Sequence, residues 1–278
     1  MSSEALTWIA GDASEYSFYS ASDADRGIMS IEGIGLPTLE HTAQPYPFLH
    51  GMLDITRRFQ DRQVLISFQR QFVGRSAWQT GRRALATALN PALGKGQLKF
   101  VDVDGNDWRL DAWVVNAPLI RRAEWGPFEI REVLEFWAPY PFWRKASAET
   151  DNGDFNGASN VDITVSVDGN MPVVPTTITL EAGAGEQITN PVITIVGTGK
   201  KIDLENSIAE GETVTITCWP PEDAAVTKDG TSIIGDLSYD SVLVGFELAR
   251  GSNTVRIVGE AGDDGNCLIS FYERYLAV

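Results

Sequence analysis

The stretch that decides the fold is Phe136-Trp137-Ala138-Pro139-Tyr140-Pro141-Phe142-Trp143, with five aromatic residues and two prolines in eight positions. Each proline fixes its own φ and disfavours helix in the residue before it, so a strand that arrives here must stop. A solvated linker would be polar, whereas these aromatic side chains are costly to leave in water. We therefore interpret residues 136–143 as a tightly packed interdomain seam.

Charge divides the chain close to this seam. Residues 1–148 hold 16 Lys and Arg against 17 Asp and Glu, a net charge of −1, whereas residues 149–278 hold 6 against 21, a net charge of −15. Seven of the eight tryptophans also precede residue 149. The sequence predicts one domain over residues 1–145 and an acidic domain over residues 146–278, which would repel nucleic-acid phosphates and anionic lipids.

The first 60 residues contain few long apolar runs, and they include the motif Ile31-Glu32-Gly33-Ile34-Gly35-Leu36-Pro37. Glycine accepts positive φ, so this motif allows sharp turns and close backbone approach. We interpret residues 1–60 as an extended arm that packs on a neighbouring subunit, with disorder as the alternative.

A single helix is predicted between strands. Residues 64–72 alternate apolar and polar side chains as a half-buried strand does. Ser76 and Gln79 have the spacing of a capping box, and leucines recur at helical intervals, which predicts a helix near residues 76–89. We interpret Arg82 and Arg83 on this helix as a solvated face, with a partner contact as the alternative.

Two further patterns complete the first domain as an antiparallel sheet. Asp104-Gly105 predicts a hairpin between residues 98–103 and residues 108–114. Residues 128–136 alternate apolar with charged side chains and continue into the seam, so one face of the sheet is buried and the other is polar.

The second domain is predicted to be a β-sandwich. Residues 151–157 are polar and rich in turn formers, which indicates a loop. Short strand patterns without helical periodicity then follow at residues 161–167, 176–180, 191–196, 201–204, 213–219, 241–248, 253–258 and 268–275. Regularly spaced short strands of this kind are typical of a sandwich.

No catalytic, cofactor or metal site is predicted. The two histidines, His41 and His50, are too few for most metal or triad chemistry. Asp102, Asp104 and Asn106 imitate a calcium loop but lack its glycine and final glutamate, so a hairpin turn explains them better. Residues 197–200 end in Gly-Lys without the rest of a phosphate-binding loop. The sequence does not decide whether the chain has a pair of catalytic carboxylates like that of a glycosidase, because such pairs are recognised by their spacing in three dimensions.

Cys218 and Cys267 are interpreted as free, buried thiols, and the sequence leaves open whether they are adjacent. The sequence contains no run of 18 consecutive apolar residues, so no membrane-spanning helix is predicted. The N-terminus lacks the pattern of a secretory signal. We therefore expect a soluble protein that is made in the cytoplasm and stays out of membranes.

Motifs in both domains, in this order, resemble the distal tail protein family of long-tailed, siphovirus-type bacteriophages. In the first domain they are residues 33–37, 61–66, 85–91 and 138–143. In the second they are residues 190–195, 201–204, 211–216, 228–230 and 248–255. The chain departs from the family at Ile216-Thr217-Cys218, where the family often has Ile-Asp-Thr.

The resemblance implies a mainly β protein, with a tail-tube-like N-terminal domain and a galectin-like C-terminal sandwich that projects outward. It implies a structural hub in the virion, not an enzyme: a ring, usually hexameric, that joins the tail tube to the tail tip or baseplate and contacts receptor-binding proteins. The genome would pass through the ring without specific binding.

Three alternatives remain: a tail tube protein with an added decoration domain, a carbohydrate-binding module and a cell-wall hydrolase.

Overall fold

Two compact units make up the chain. The structure, a computed structural model, describes residues 4–20, 26–45, 52–116, 128–183 and 186–278. Unit 1 comprises residues 1–146 together with residues 275–278, and unit 2 comprises residues 147–274. The first division lies one residue from the predicted boundary, but the last four residues return to unit 1. The prediction of a mainly β chain is confirmed in both units.

Unit 1 is an antiparallel sheet with one α-helix among its described residues. Its strands are β1 (Ala5–Ile9), β2 (Glu15–Ser20), β3 (Arg26–Glu32), β4 (Leu39–Pro45), β5 (Met52–Phe59), β6 (Arg62–Gln71), β7 (Gly96–Val101), β8 (Asp107–Asn116), β9 (Glu129–Ala138) and β10 (Trp143–Lys145). The helix α1 (Arg75–Ala88) follows β6, and a 3-10 turn (Pro91–Leu93) follows α1. The sheet order is β2-β1-β7-β8-β9-β6-β3, and β10 pairs with β8.

Aromatic side chains form the centre of the unit 1 core. The Phe136 ring lies 4.9 Å from Trp8 and 6.1 Å from Phe18, and the Phe18 ring lies 5.4 Å from Phe68. All four side chains are buried. They come from β1, β2, β6 and β9, so this cluster joins strands that are far apart in sequence, and aromatic pairs at these distances stabilise a core beyond the area they bury.

The helix prediction is confirmed to within one residue at each end. Leu85 and Ala88 face the core, as helical spacing requires. The Trp8 indole N–H donates to the Ala88 carbonyl (2.9 Å), which ties β1 to the last turn of the helix. The predicted hairpin at Asp104-Gly105 is also present, between β7 and β8.

The extended-arm interpretation is wrong for residues 5–20. Strand β1 pairs with both β2 and β7, so it lies inside the sheet. Leu6, Trp8 and Phe18 are buried in the core of the same unit. Strand β1 is short, and its second partner, β7, lies about 90 residues later in the sequence, a partnership that local patterns do not reveal.

Strands β4 and β5 form a separate ribbon. They pair with each other from Leu39↔Phe59 to Pro45↔Met52, and neither pairs with another described strand. The Phe59 ring packs edge-on against Phe142 at 5.8 Å, which fixes the base of the ribbon on unit 1. A two-stranded ribbon is marginally stable alone in water, so its outer part needs another surface for support.

Unit 2 is a β-sandwich, as predicted. Its strands are β11 (Glu149–Asp154), β12 (Asn160–Val167), β13 (Thr177–Ala182), β14 (Val192–Ile195), β15 (Lys201–Asp203), β16 (Thr213–Thr217), β17 (Ala225–Lys228), β18 (Thr231–Ser232), β19 (Gly251–Val258) and β20 (Gly265–Phe271). Two 3-10 turns occupy Pro221–Asp223 and Ile234–Asp236, and β21 (Arg274–Tyr275) spans the division between the units. The sheets are β11-β20-β13-β16-β17-β18 and β12-β19-β14-β15, with one apolar core of their inward side chains.

Two segment predictions in unit 2 are wrong. Residues 151–157 are predicted to be a loop, but residues 149–154 form an edge strand that pairs with β20. The prediction fails because an edge strand exposes its side chains and therefore tolerates the polar residues that are typical of a loop. Residues 241–248 form no strand, although Phe246 and Leu248 are buried in the core. Buried irregular chain shows the same apolar composition as a strand.

The two cysteines are free and buried, as predicted, and the sheet register separates them. Cys267 lies opposite Leu180, whereas the Cys218 N–H donates to the Thr176 carbonyl. Four residues of strand span about 13 Å, too far for a disulfide bond. Burial raises the pKa of the Cys218 thiol to about 12 and raises that of Cys267 as well.

We expect both thiols to be inert in the native protein, because a raised pKa leaves little of the reactive thiolate at neutral pH. A thiol-specific chromogenic disulfide should titrate no cysteine in buffer and two cysteines in denaturant. Fast titration of either cysteine without denaturant would contradict the buried positions.

Candidate functional site

Arg62 is a buried side chain of unit 1 that makes several hydrogen bonds, and no carboxylate among the described residues pairs with it. It is 3 % exposed, and its guanidinium donates four hydrogen bonds. The acceptors are the main-chain carbonyl oxygens of Pro141 (2.8 Å), Gly33 (2.5 Å), Gly35 (2.6 Å) and Leu276 (2.7 Å). One planar group therefore joins three separate segments of the chain.

The position of Arg62 follows from strand pairing. It is the first residue of β6 and lies opposite Ala138, the last residue of β9. Pro139 then prevents β9 from continuing, so the chain turns and brings the Pro141 carbonyl to the guanidinium. The sequence prediction that the strand stops at this proline is confirmed, and Arg62 uses a carbonyl that strand pairing leaves free.

The glycine motif contributes a turn that only glycine fits. Gly33 has φ +86°, and a Cβ atom there would lie 2.0 Å from the Gln63 carbonyl oxygen. The absence of a side chain lets the backbone reach Arg62 from the neighbouring strand. Because β4 begins shortly afterwards, at Leu39, Arg62 fixes the segment that leads into the β4–β5 ribbon.

Burial lowers the pKa of Arg62 from its ordinary range to about 10. The side chain is therefore still protonated near neutral pH, and a buried cation must be fully hydrogen-bonded to be tolerated. Arginine suits this role because its fork presents five N–H donors in one plane, whereas lysine offers a single ammonium group. The arrangement can hold chain segments together, but it holds no nucleophile or proton-transfer pair.

The predicted seam residues divide into buried and exposed sets. Phe136 and Trp143 are buried in the core of unit 1. Trp137 is 37 % exposed; its indole N–H donates to Asp61 (2.6 Å), and its ring lies 5.6 Å from Trp113. Pro139, Tyr140, Pro141 and Phe142 lie between β9 and β10. The interdomain role of residues 136–143 stays a prediction.

Residues 275–278, where the chain ends, form a short tail on unit 1, a feature that sequence reasoning missed. The Tyr275 ring lies 4.8 Å from Trp108, and Val278 packs against the unit 1 core. Together with the bond from Arg62 to the Leu276 carbonyl, these contacts hold the tail in place. The aromatic and apolar side chains of this tail indicate that it is packed, but the same composition also fits a final strand of the sandwich.

Residues considered for chemistry occupy ordinary structural positions. His41 is exposed on β4, and His50 lies outside the described residues. The Asp102 carboxylate accepts hydrogen bonds from the Asn106 side chain and the Trp108 indole, which lower the pKa of Asp102 to about 2. Those contacts support the hairpin turn rather than a calcium loop. Within the described ranges no cluster of metal-ligating side chains occurs, and no helix has the length and apolar character of a membrane span.

The lone tryptophan of unit 2 is partly covered. Trp219 packs against the apolar core, and the Arg274 guanidinium lies 4.1 Å from the centroid of its ring. A sugar-stacking site needs an open aromatic face, and this stacked arginine occupies one face of Trp219.

Replacing Arg62 with glutamine should lower the free energy of unfolding of unit 1 by roughly 3–5 kcal/mol, because buried carbonyls lose a charged donor. Urea denaturation followed by tryptophan fluorescence reports on this unit, since seven of the eight tryptophans precede residue 149. Arg131→Gln is the matched control, because Arg131 is exposed; its loss should cost under about 1 kcal/mol. Equal effects of both changes would show that Arg62 holds nothing together.

Solved structures of phage tail components share the fold of the whole chain. The SPP1 Dit protein, described as a paradigm of the hub adsorption apparatus in phages that infect Gram-positive bacteria, matches with a TM-score of 0.69 at 13 % identity, covering 98 % of both chains. A chain of the phage p2 baseplate in its activated conformation with Sr matches with a TM-score of 0.55 at 8 % identity, covering 96 % of this chain and 97 % of the other. The corresponding structure with Ca gives 0.53 at 8 % identity and 99 % coverage of both.

No curated protein sequence matches the chain. Residues 168–275 match the family model of the siphovirus-type tail component, C-terminal domain, and they lie almost wholly in unit 2. Residues 168–275 are therefore similar to the C-terminal domain of siphovirus-type tail components, and the whole chain shares the fold of the SPP1 Dit protein.

Proposed function

We propose that this protein is a structural hub at the distal end of a phage tail. The observation that carries the proposal is the agreement in fold with the SPP1 Dit hub protein over 98 % of both chains. In this role copies of unit 1 form a ring, usually sixfold in the family, between the tail tube and the tail tip or baseplate. Unit 2 then serves as the attachment domain for receptor-binding proteins, and the genome passes through the ring without specific binding.

The β4–β5 ribbon supports ring formation. It extends from unit 1 without another described strand beside it, and Leu39 at its base is half exposed. The cross-strand pair of Glu40 and Arg58 stabilises its first rungs, but a surface ion pair contributes little. A neighbouring copy would supply the missing surface, and such head-to-tail contacts close into a ring when the rotation between copies allows it.

The arrangement of the chain supports the role of unit 2. The polypeptide leaves unit 1 after residue 146 and returns at residue 275, so unit 2 is held by two connections. An attachment domain transmits force to the tail when a receptor-binding protein engages a cell. Two connections resist such a load better than one flexible linker does.

A tail tube subunit is the closest competing role, because the family shares its N-terminal fold with tube proteins. Tube subunits stack repeatedly along the tail, so each has less need of an acidic sandwich of about 128 residues than the subunits of a single ring have. A purely enzymatic role finds no support in the family of unit 2, which is a tail component domain.

Shortening the ribbon should abolish the ring without unfolding unit 1. In the variant, Asn-Gly replaces residues 42–56, a two-residue turn that closes hairpins well. Native mass spectrometry should find a closed ring for the full chain and a monomer for this variant, with unchanged thermal unfolding. Tyr239→Ser, which alters a fully exposed residue of unit 2, is the control and should leave the ring intact.

A monomeric full-length protein at all concentrations would contradict the ring. A ring that persists after the ribbon is shortened would leave the hub role standing and show that other contacts close it.

A further inference from the structure

One loop of unit 2 presents several apolar side chains to solvent. Residues 233–244, called the Tyr239 loop, lie between β18 and the buried Phe246. Tyr239 is fully exposed at the centre of the loop, and Ile234 and Val244 near its ends are 51 % and 45 % exposed. Exposed apolar side chains that are concentrated in one segment are typical of a surface that binds another protein. The loop lies wholly in unit 2, so it is separate from the ribbon of unit 1.

Hydrogen bonds hold the Tyr239 loop against strand β15. The Ser238 N–H donates to the Asp203 carbonyl (2.9 Å), and the Ser241 hydroxyl accepts from the Asp203 N–H (2.9 Å). The Val242 N–H donates to the carbonyl of the first residue of β15 (2.8 Å). These bonds lie on both sides of Tyr239 in the sequence, so the backbone that carries this side chain is fixed to the sandwich.

Tyr239 occupies the second position of a tight turn. The Ser241 N–H donates to the Ser238 carbonyl (3.0 Å), which closes a four-residue β-turn. The Ser238 hydroxyl donates to the Asp240 carboxylate (2.6 Å) and braces the same turn. A tyrosine on a fixed backbone has only two side-chain torsions to immobilise, so it can anchor a partner at a low cost in conformational entropy.

The chain around Tyr239 is acidic. Residues 229–249 contain four Asp and Glu and neither Lys nor Arg. Lys201 of β15 lies 2.9 Å from the carboxylates of both Asp203 and Asp240, but the Asp240 side chain is still 60 % exposed. The hydrogen bond from Ser238 and the contact with Lys201 lower the pKa of Asp240, so this carboxylate is ionised at neutral pH. The segment therefore combines an apolar anchor with negative charge.

We propose that the Tyr239 loop is the surface by which unit 2 holds a second tail protein, which offers an apolar pocket for Tyr239 with Lys or Arg side chains at its rim. This inference rests on the proposed hub function and names the surface that attaches the partner. A negatively charged surface selects basic partners and repels acidic ones. Another copy of the sandwich is repelled, since residues 149–278 have a net charge of −15, and nucleic acid is repelled for the same reason.

Site-specific photocrosslinking on assembled virions identifies the partner. The probe is p-benzoyl-phenylalanine, incorporated at position 239 by amber suppression, which reacts only with groups in contact with it. Irradiation should link position 239 to one tail protein other than this chain, and mass spectrometry should find Lys or Arg beside apolar residues in the linked peptide. The control carries the same probe at Thr164, an exposed residue of β12 at the opposite edge of the same sheet, and should give no link.

Matched variants then test the anchor and the charge, with the linked protein purified and its affinity measured by calorimetry. Tyr239→Ser should weaken binding about tenfold or more, whereas Tyr239→Phe should retain it. Asp240→Asn should weaken binding about three- to fivefold, and this loss should shrink at high salt. Asp162→Asn is the control, because it also removes a carboxylate that pairs with one basic side chain, Arg256, but on β12; its affinity should stay unchanged. Circular dichroism checks that each variant is folded.

Several outcomes would overturn the role of the Tyr239 loop. Absence of a link from position 239, an equal link from position 164, or equal losses in the Asp240 and Asp162 variants would each do so. A link to another copy of this chain would assign the loop to contacts between copies instead. The hub function fails separately: protein found at the tail tip without a link from position 239 refutes only the loop, whereas protein found along the whole tail refutes the hub.

Discussion

A buried cation surrounded by carbonyl groups sets the geometry of unit 1. Arg62 gives up hydration, and no carboxylate in the described part of the chain offsets that loss, so its four carbonyl partners must all be in place. Those carbonyls come from the glycine turn at Gly33, from the proline segment after β9 and from the C-terminal tail. A change in any one of these segments would leave a charged donor unsatisfied in the interior.

This requirement brings three separate sequence motifs to one place. Residues 33–37, 61–66 and 138–143 carried the resemblance to distal tail proteins, and all three contribute to the site around Arg62. The same centre fixes the base of the β4–β5 ribbon and the tail that follows unit 2. In the proposed hub, the segment that reaches a neighbouring copy and the segment that returns from the attachment domain are therefore held by one side chain.

Local signals in the sequence were sufficient for much of the fold. The helix after β6, the Asp104-Gly105 hairpin and most strands of the sandwich follow from periodicity and turn chemistry, which depend on neighbouring residues. Long-range partners were not predictable. Strands β1 and β2 looked like an arm because only the distant strand β7 places their hairpin in the sheet, and the return of residues 275–278 to unit 1 left no local pattern.

Arg62 illustrates the limit for the candidate site. Its burial depends on three loops that meet only after the sheet has formed, so composition gave no reason to single it out. The seam aromatics were recognised as buried or packed side chains, but Phe136 and Trp143 belong to the core of unit 1.

The location of the protein on assembled virions tests the hub role most directly. Gold-labelled antibodies against unit 2 can be imaged by electron microscopy on phage particles that carry this protein. The hub role predicts a single cluster of label at the distal end of each tail. Label distributed along the whole tail would identify a tube subunit and contradict the proposed role.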